Sequence, residues 1–64
     1  MKPHCIKAQD VKPDDFMNYV EHPRSYDRVV KVSTVGDQTK IHFFTAAYEH
    51  YTVKHPREGV MVWR

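Results

Sequence analysis

The stretch Arg28-Val29-Val30-Lys31-Val32-Ser33-Thr34-Val35-Gly36-Asp37-Gln38-Thr39-Lys40-Ile41-His42-Phe43-Phe44-Thr45 decides the fold. Both arms are rich in β-branched and aromatic residues, which suit a pleated, half-buried surface. Between them, Gly36 accepts positive φ and Asp37 tolerates turn geometry. The reading is an antiparallel hairpin over residues 28–45.

Strand parity then sorts the side chains, because successive residues point to opposite faces. One predicted set is apolar: Val30, Val32, Thr34, Ile41, Phe43, Thr45, Tyr51, Val53, Val60 and Val62. The opposite set holds Val29, Lys31, Ser33, Lys40, His42, Phe44, Thr52, Lys54, Met61 and Trp63. This second face contains lysines, a histidine and two large aromatics, but neither Asp nor Glu. If Ile41 and Phe43 face the core together with Tyr51 and Val53, the Ala46–Glu49 connection has an odd residue count or a bulge.

Working outward, His50–Lys54 and Val60–Trp63 read as strands around a His55–Gly59 turn. His4–Ala8 is a further strand candidate, followed by a turn-like cluster, Asp10–Asp15. Phe16–Val20 admits two readings. Pro13 at a helix start, with Asp14 and Asp15 facing the positive end, favours a short helix that stops before Pro23. The strand propensity of Phe16, Tyr19 and Val20 favours a strand. Glu21–Asp27 reads as a loop.

The predicted fold is mostly β, one domain over residues 1–64. It has five to six short antiparallel strands curled into a small SH3-like barrel. The alternative is an α+β antiparallel sheet with one short helix near residues 13–22.

The chain has 64 residues and a net charge of +2, from ten basic and eight acidic residues. A domain of this size buries only about 60% of its unfolded surface, so a staple or a partner is a common supplement. Cys5 is the only cysteine, which excludes an internal disulfide and suits a reducing interior. The apolar runs are too short to span a membrane, and residues 1–7 lack a signal-peptide core. Met1 is read as the start of a complete small gene product, and the expected location is the cytoplasm (the host cytoplasm if phage-encoded).

The segment Ala8-Gln9-Asp10-Val11-Lys12-Pro13-Asp14-Asp15, the strand Arg28-Val29-Val30-Lys31-Val32, and Gly36-Asp37 followed by Ile41-His42-Phe43 carry a resemblance. In these parts the chain resembles small SH3-like barrel proteins of bacteria and their phages, especially actinobacterial phages. The usual pattern there is Lys-Pro-Gly-Asp before a strand, and Asp14 replaces its glycine. The likeness implies the fold and an accessory role in such a system.

Histidines 4, 22, 42, 50 and 55 do not form the short paired spacings of a zinc site, so no metal is expected. His42 and His50 are placed on a shared face, but two ligands do not hold a structural metal. Ser25 and Ser33 lack a nucleophile context, and neither glycine belongs to a phosphate-cradling loop. The chain is therefore read as non-enzymatic and cofactor-free. Two binding readings remain. Protein contact or self-association uses Val29, Phe44, Met61 and Trp63, because aromatics and Met are enriched in interface cores. Nucleic-acid binding uses Lys31, Lys40, His42 and Lys54, with Arg28 and Arg57 reaching phosphates and the aromatics stacking on bases.

Overall fold

The structure is a computed structural model that describes residues 1–17, 27–44 and 50–64. The strands are β1 (Pro3–Lys7), β2 (Phe16–Met17), β3 (Asp27–Val35), β4 (Gln38–Phe43), β5 (His50–Lys54) and β6 (Gly59–Trp63), with a 3₁₀ turn at Ala8–Asp10. They form one antiparallel six-stranded sheet in the order β1-β6-β2-β3-β4-β5. Among the described residues the sheet does not close, and β1 and β5 are its edges. Among the described residues, no helix is long and apolar enough to cross a membrane.

The β3–β4 hairpin forms as its sequence requires. Val35 opposes Gln38 across a two-residue turn, Gly36-Asp37. Gly36 has φ 58° while Asp37 keeps a negative φ, the pattern of a type II′ turn, whose twist matches that of the strands.

The parity reading fails inside β3. Val29 opposes Phe43 and Lys31 opposes His42, so Val30 is an extra residue in a bulge. The insertion reverses parity along the strand. Val29 is fully buried, whereas Val30 and Lys31 both face out. Beyond the bulge Val32 turns inward opposite Ile41, and Thr34 opposite Thr39. Val29 is therefore core and not part of the predicted surface.

A second correction concerns β5. Phe43 opposes His50, Ile41 opposes Thr52 and Thr39 opposes Lys54. Directly opposed residues share a face, so His50, Thr52 and Lys54 lie on the inner side. Tyr51 opposes His42 and Val53 opposes Lys40, which puts both on the outer side. They are 53% and 45% exposed instead of core. His42 and His50 are consequently on opposite faces. The Ala46–Glu49 connection lies outside the described residues, as does residues 18–22 of the helix-or-strand segment. The described start of that segment, Phe16–Met17, is strand.

The core gathers on the inner face around Val29, Ile41 and Val62, with Phe43, Met17 and Val60 from the strands and Ala8 and Val11 from the 3₁₀ region. Buried Thr39 satisfies its hydroxyl with that of Thr34 at 2.9 Å.

The Lys12–Asp15 turn fastens this core to the end of the sheet. The Asp15 N–H donates to the Lys12 carbonyl at 3.1 Å, with Pro13 in the second position and Asp14 third at φ 75°. This is type II geometry, in which glycine is favoured at the third position. Asp14 N–H donates to the Val29 carbonyl at 2.8 Å, and Val29 N–H to the Asp15 carbonyl at 2.7 Å. The buried Asp15 carboxylate accepts the Lys12 N–H at 2.9 Å and a two-pronged bond from Arg64 at 2.8 and 3.1 Å. That hydrogen bond raises the Arg64 guanidinium above its ordinary value, so it stays charged.

Two measurements check this account. Val29→Ala is expected to cost about 2 kcal/mol and its neighbour Val30→Ala only about 0.5 kcal/mol. Equal losses in urea unfolding would remove the bulge. Asp14→Gly is expected to gain about 1 kcal/mol by relieving a positive φ. The exposed Asp14–Arg28 pair at 3.8 Å offsets only a few tenths of a kcal/mol. An unchanged or lower midpoint would show that the turn carries no strain at Asp14.

Candidate functional site

The outer face takes every strand residue whose side chain points away from the core. From β1 and β6 these are Pro3, Cys5 and Lys7 opposite Trp63, Met61 and Gly59. β2 contributes Phe16, which opposes Trp63 on one side and Arg28 on the other. From β3 and β4 come Arg28, Val30, Lys31, Ser33 and Val35, opposite Gln38, Lys40 and His42. Phe44 follows buried Phe43 and so points out, and β5 adds Tyr51 and Val53. None of these residues is acidic. Asp27 is the one acid inside a described strand, and it opposes buried Met17 on the inner side.

The same face collects the exposed apolar side chains. Apart from Met1, the exposed large hydrophobics of the described residues are Val30, Val35, Phe44, Tyr51, Val53 and Met61. All of them belong to the outer face. Phe44 and Met61 are 58% and 50% exposed. Trp63 is half-buried, flanked in register by Pro3 and Phe16.

Cations and rings are interleaved here. The Arg28 guanidinium lies 5.3 Å from the centre of the Phe44 ring, and the Lys40 ammonium 4.3 Å from that of Tyr51. The His42 and Tyr51 rings are tilted against each other at 5.7 Å. Such contacts are worth about 0.5–1 kcal/mol at exposed sites. They set cations and rings side by side on the sheet. Lys31 and Lys40 form no ion pair among the described residues.

The sequence-predicted residues divide accordingly. Phe44, Met61, Trp63, Lys31, Lys40, His42 and Arg28 come together on the outer face. Val29 is in the core. Lys54 is on the inner side, with its ammonium 3.2 Å from Glu58. Arg57 sits in the β5–β6 turn, beside an open cleft of 430 Å3 that Thr34, Asp37 and Gln9 also line. Its own N–H donates to His55 Nδ1 at 3.1 Å. Sequence reasoning missed Val30, Tyr51, Val53 and Phe16 as surface residues. A bulge inside a run of valines leaves no compositional mark, and the sequence just before β5 has no Gly or Pro from which its register could be read.

Among the described residues, no group of three or more His, Cys, Asp or Glu side chains is placed to hold a metal. Comparison with protein-family models, curated proteins and solved structures found no match to this chain.

The corrected face has a direct stability test. Tyr51→Ser and Val53→Ser are each expected to cost about 1 kcal/mol or less, the scale of cross-strand pairs. Losses of about 3 kcal/mol, the scale of core truncation, would return these residues to the interior.

Proposed function

We propose that this protein is a non-enzymatic binding module that docks a protein partner on its outer sheet face. The observation that carries the reading is the coincidence of two features. Apart from Met1, the exposed large apolar side chains of the described residues all lie on one face, and no described strand residue of that face is acidic. Large exposed apolar patches mark interaction surfaces. Here Phe44 and Tyr51 would be the anchors, with Met61 and half-buried Trp63 and Phe16 farther along the same face toward β6.

The finer architecture belongs to the same proposal. A rolled, SH3-like arrangement of the six strands accords with the bulge that bends β3, the strand shared by both halves of the sheet. The sequence resemblance favours an accessory role in a phage or bacterial system, and the lone Cys5 favours a reducing cytoplasm.

Nucleic acid is the second reading. It keeps Lys31, Lys40, His42 and Arg28 and gains Tyr51 as a stacking ring. It loses Lys54 to the inner side and Arg57 to the turn, so its cationic stripe is shorter than the sequence implied.

Affinity capture from an extract of the encoding organism, with and without nuclease, separates the two. Proteins retained by the wild type after nuclease treatment are expected to fall about tenfold with Phe44→Ser/Tyr51→Ser. Capture indifferent to that variant would remove the outer face from function. Capture abolished by nuclease would favour nucleic acid.

A further inference from the structure

We infer that the partner presents an acidic protein segment studded with apolar side chains, and not a second copy of this chain. The inference rests on the protein-docking reading above and names the chemistry of what docks.

Charge decides between the occupants. In a two-fold dimer the same patch meets itself. Packing this face on its own copy would bring Arg28, Lys31 and Lys40 of each protomer against outer strand positions that, among the described residues, offer no carboxylate. A cation taken out of water without a partner costs several kcal/mol, more than an exposed aromatic returns. Arg28 has the Phe44 ring at 5.3 Å and, as its acid partner among the described residues, exposed Asp14 at 3.8 Å. Lys31 and Lys40 have no acid partner among the described residues. The face is therefore complementary to acid and self-repelling.

Geometry argues for a polypeptide. Lys31, His42 and Tyr51 lie in one cross-strand row, and Ser33, Lys40 and Val53 in the next. Successive same-face positions on a strand are about 6.8 Å apart. An extended or strand-like segment whose same-face positions, every second residue, are acidic and apolar in turn meets lysine and ring at that repeat. A polyphosphate backbone would use the cations but leave Val53, Val35 and Met61 against charge. These apolar positions favour protein over nucleic acid.

The test titrates the protein with fluorescein-labelled probes at low salt, read by anisotropy. The probes are a random glutamate–tyrosine copolymer, polyglutamate of equal length, and an oligo-dT of matched charge. The copolymer is expected to bind about tenfold tighter than either other probe. Lys31→Glu/Lys40→Glu is expected to weaken it by roughly tenfold or more. Lys2→Glu/Lys12→Glu changes net charge equally but lies off the face, and is expected to weaken it far less. No copolymer binding, tightest binding to oligo-dT, or equal damage from both lysine pairs would overturn the inference. So would a dimer in sedimentation that Phe44→Ser/Tyr51→Ser dissociates. If host-protein capture needs Phe44 and Tyr51 but tolerates Lys31→Glu/Lys40→Glu, docking stands and the acidic class falls.

Discussion

The rest of the molecule depends on one extra residue in β3. Without the bulge at Val30, alternation would carry Val29 and Val32 to opposite faces of one strand. With it, both turn inward, Val29 against Phe43 and Val32 against Ile41. The strand can then serve two neighbourhoods. Its first half pairs with β2 and supports the β1–β6 side, and its second half pairs with β4. A bulge also increases local twist and bends its strand, which lets residues of a single sheet gather around one core. Val62 of β6 and Ile41 of β4 belong to the same buried cluster although β2 and β3 lie between their strands.

The bulge is held from the side by the Lys12–Asp15 turn. Val29 exchanges backbone hydrogen bonds with Asp14 and Asp15, so the turn caps the strand just before it bends. Asp15 then ties that corner to Arg64, whose backbone extends the ladder beyond β6 through bonds to Lys2 at 2.8 and 3.1 Å. A buried carboxylate is costly unless its oxygens are satisfied. Here one oxygen takes the Lys12 N–H and both take the guanidinium fork, so the cost is met by geometry that also fixes position. This corner sets the approach of β6 to β2, where Trp63 meets Phe16. An apolar residue at Asp15 would fill space but would not specify where the end of β6 lies.

Legibility in the sequence follows from whether the information is local. The β3–β4 hairpin was readable because Gly36-Asp37 and its flanking strand formers state it within a few residues. The Lys-Pro-Asp-Asp turn was visible too, although Asp14 occupies a position where glycine is the easier choice. Parity along β4 held, with Thr39, Ile41 and Phe43 buried. It broke where it depended on counting across an irregularity. The alternation His50-Tyr51-Thr52-Val53-Lys54 reads with Tyr51 and Val53 inward. Their pairing with His42 and Lys40 puts them outward instead. Edge position explains why this is tolerable. β5 covers the core with His50, Thr52 and Lys54 at half burial, and deeper burial falls to β4. Of the candidate surface, Arg28, Lys31, Lys40, His42, Phe44, Met61 and Trp63 were legible. Val30, Tyr51, Val53 and Phe16 were not, because their placement is a property of register.

These errors leave the described strand positions of the outer face without an acid and change what the face is made of. Losing Val29 and Lys54 while gaining Val30, Tyr51 and Val53 shifts the surface from a lysine stripe toward interleaved cations and rings. The acids of the described chain lie off the strand positions of this face, although Asp14 reaches Arg28 at 3.8 Å. Asp14 and Asp37 are in turns, Asp10 ends the 3₁₀ segment, Glu58 pairs with Lys54, and Asp15 and Asp27 are on or near the inner side. A net charge of +2 therefore understates the asymmetry. Opposite charges on separate faces largely cancel in the total, yet each face keeps its own field at contact distance. With a Debye length of about 8 Å at physiological salt, the partner proposed above would feel Lys31, Lys40 and Arg28, and the rings next to them, more strongly than charges farther off. Electrostatics of this kind selects and orients a partner, while the apolar contacts supply most of the hold once water is excluded.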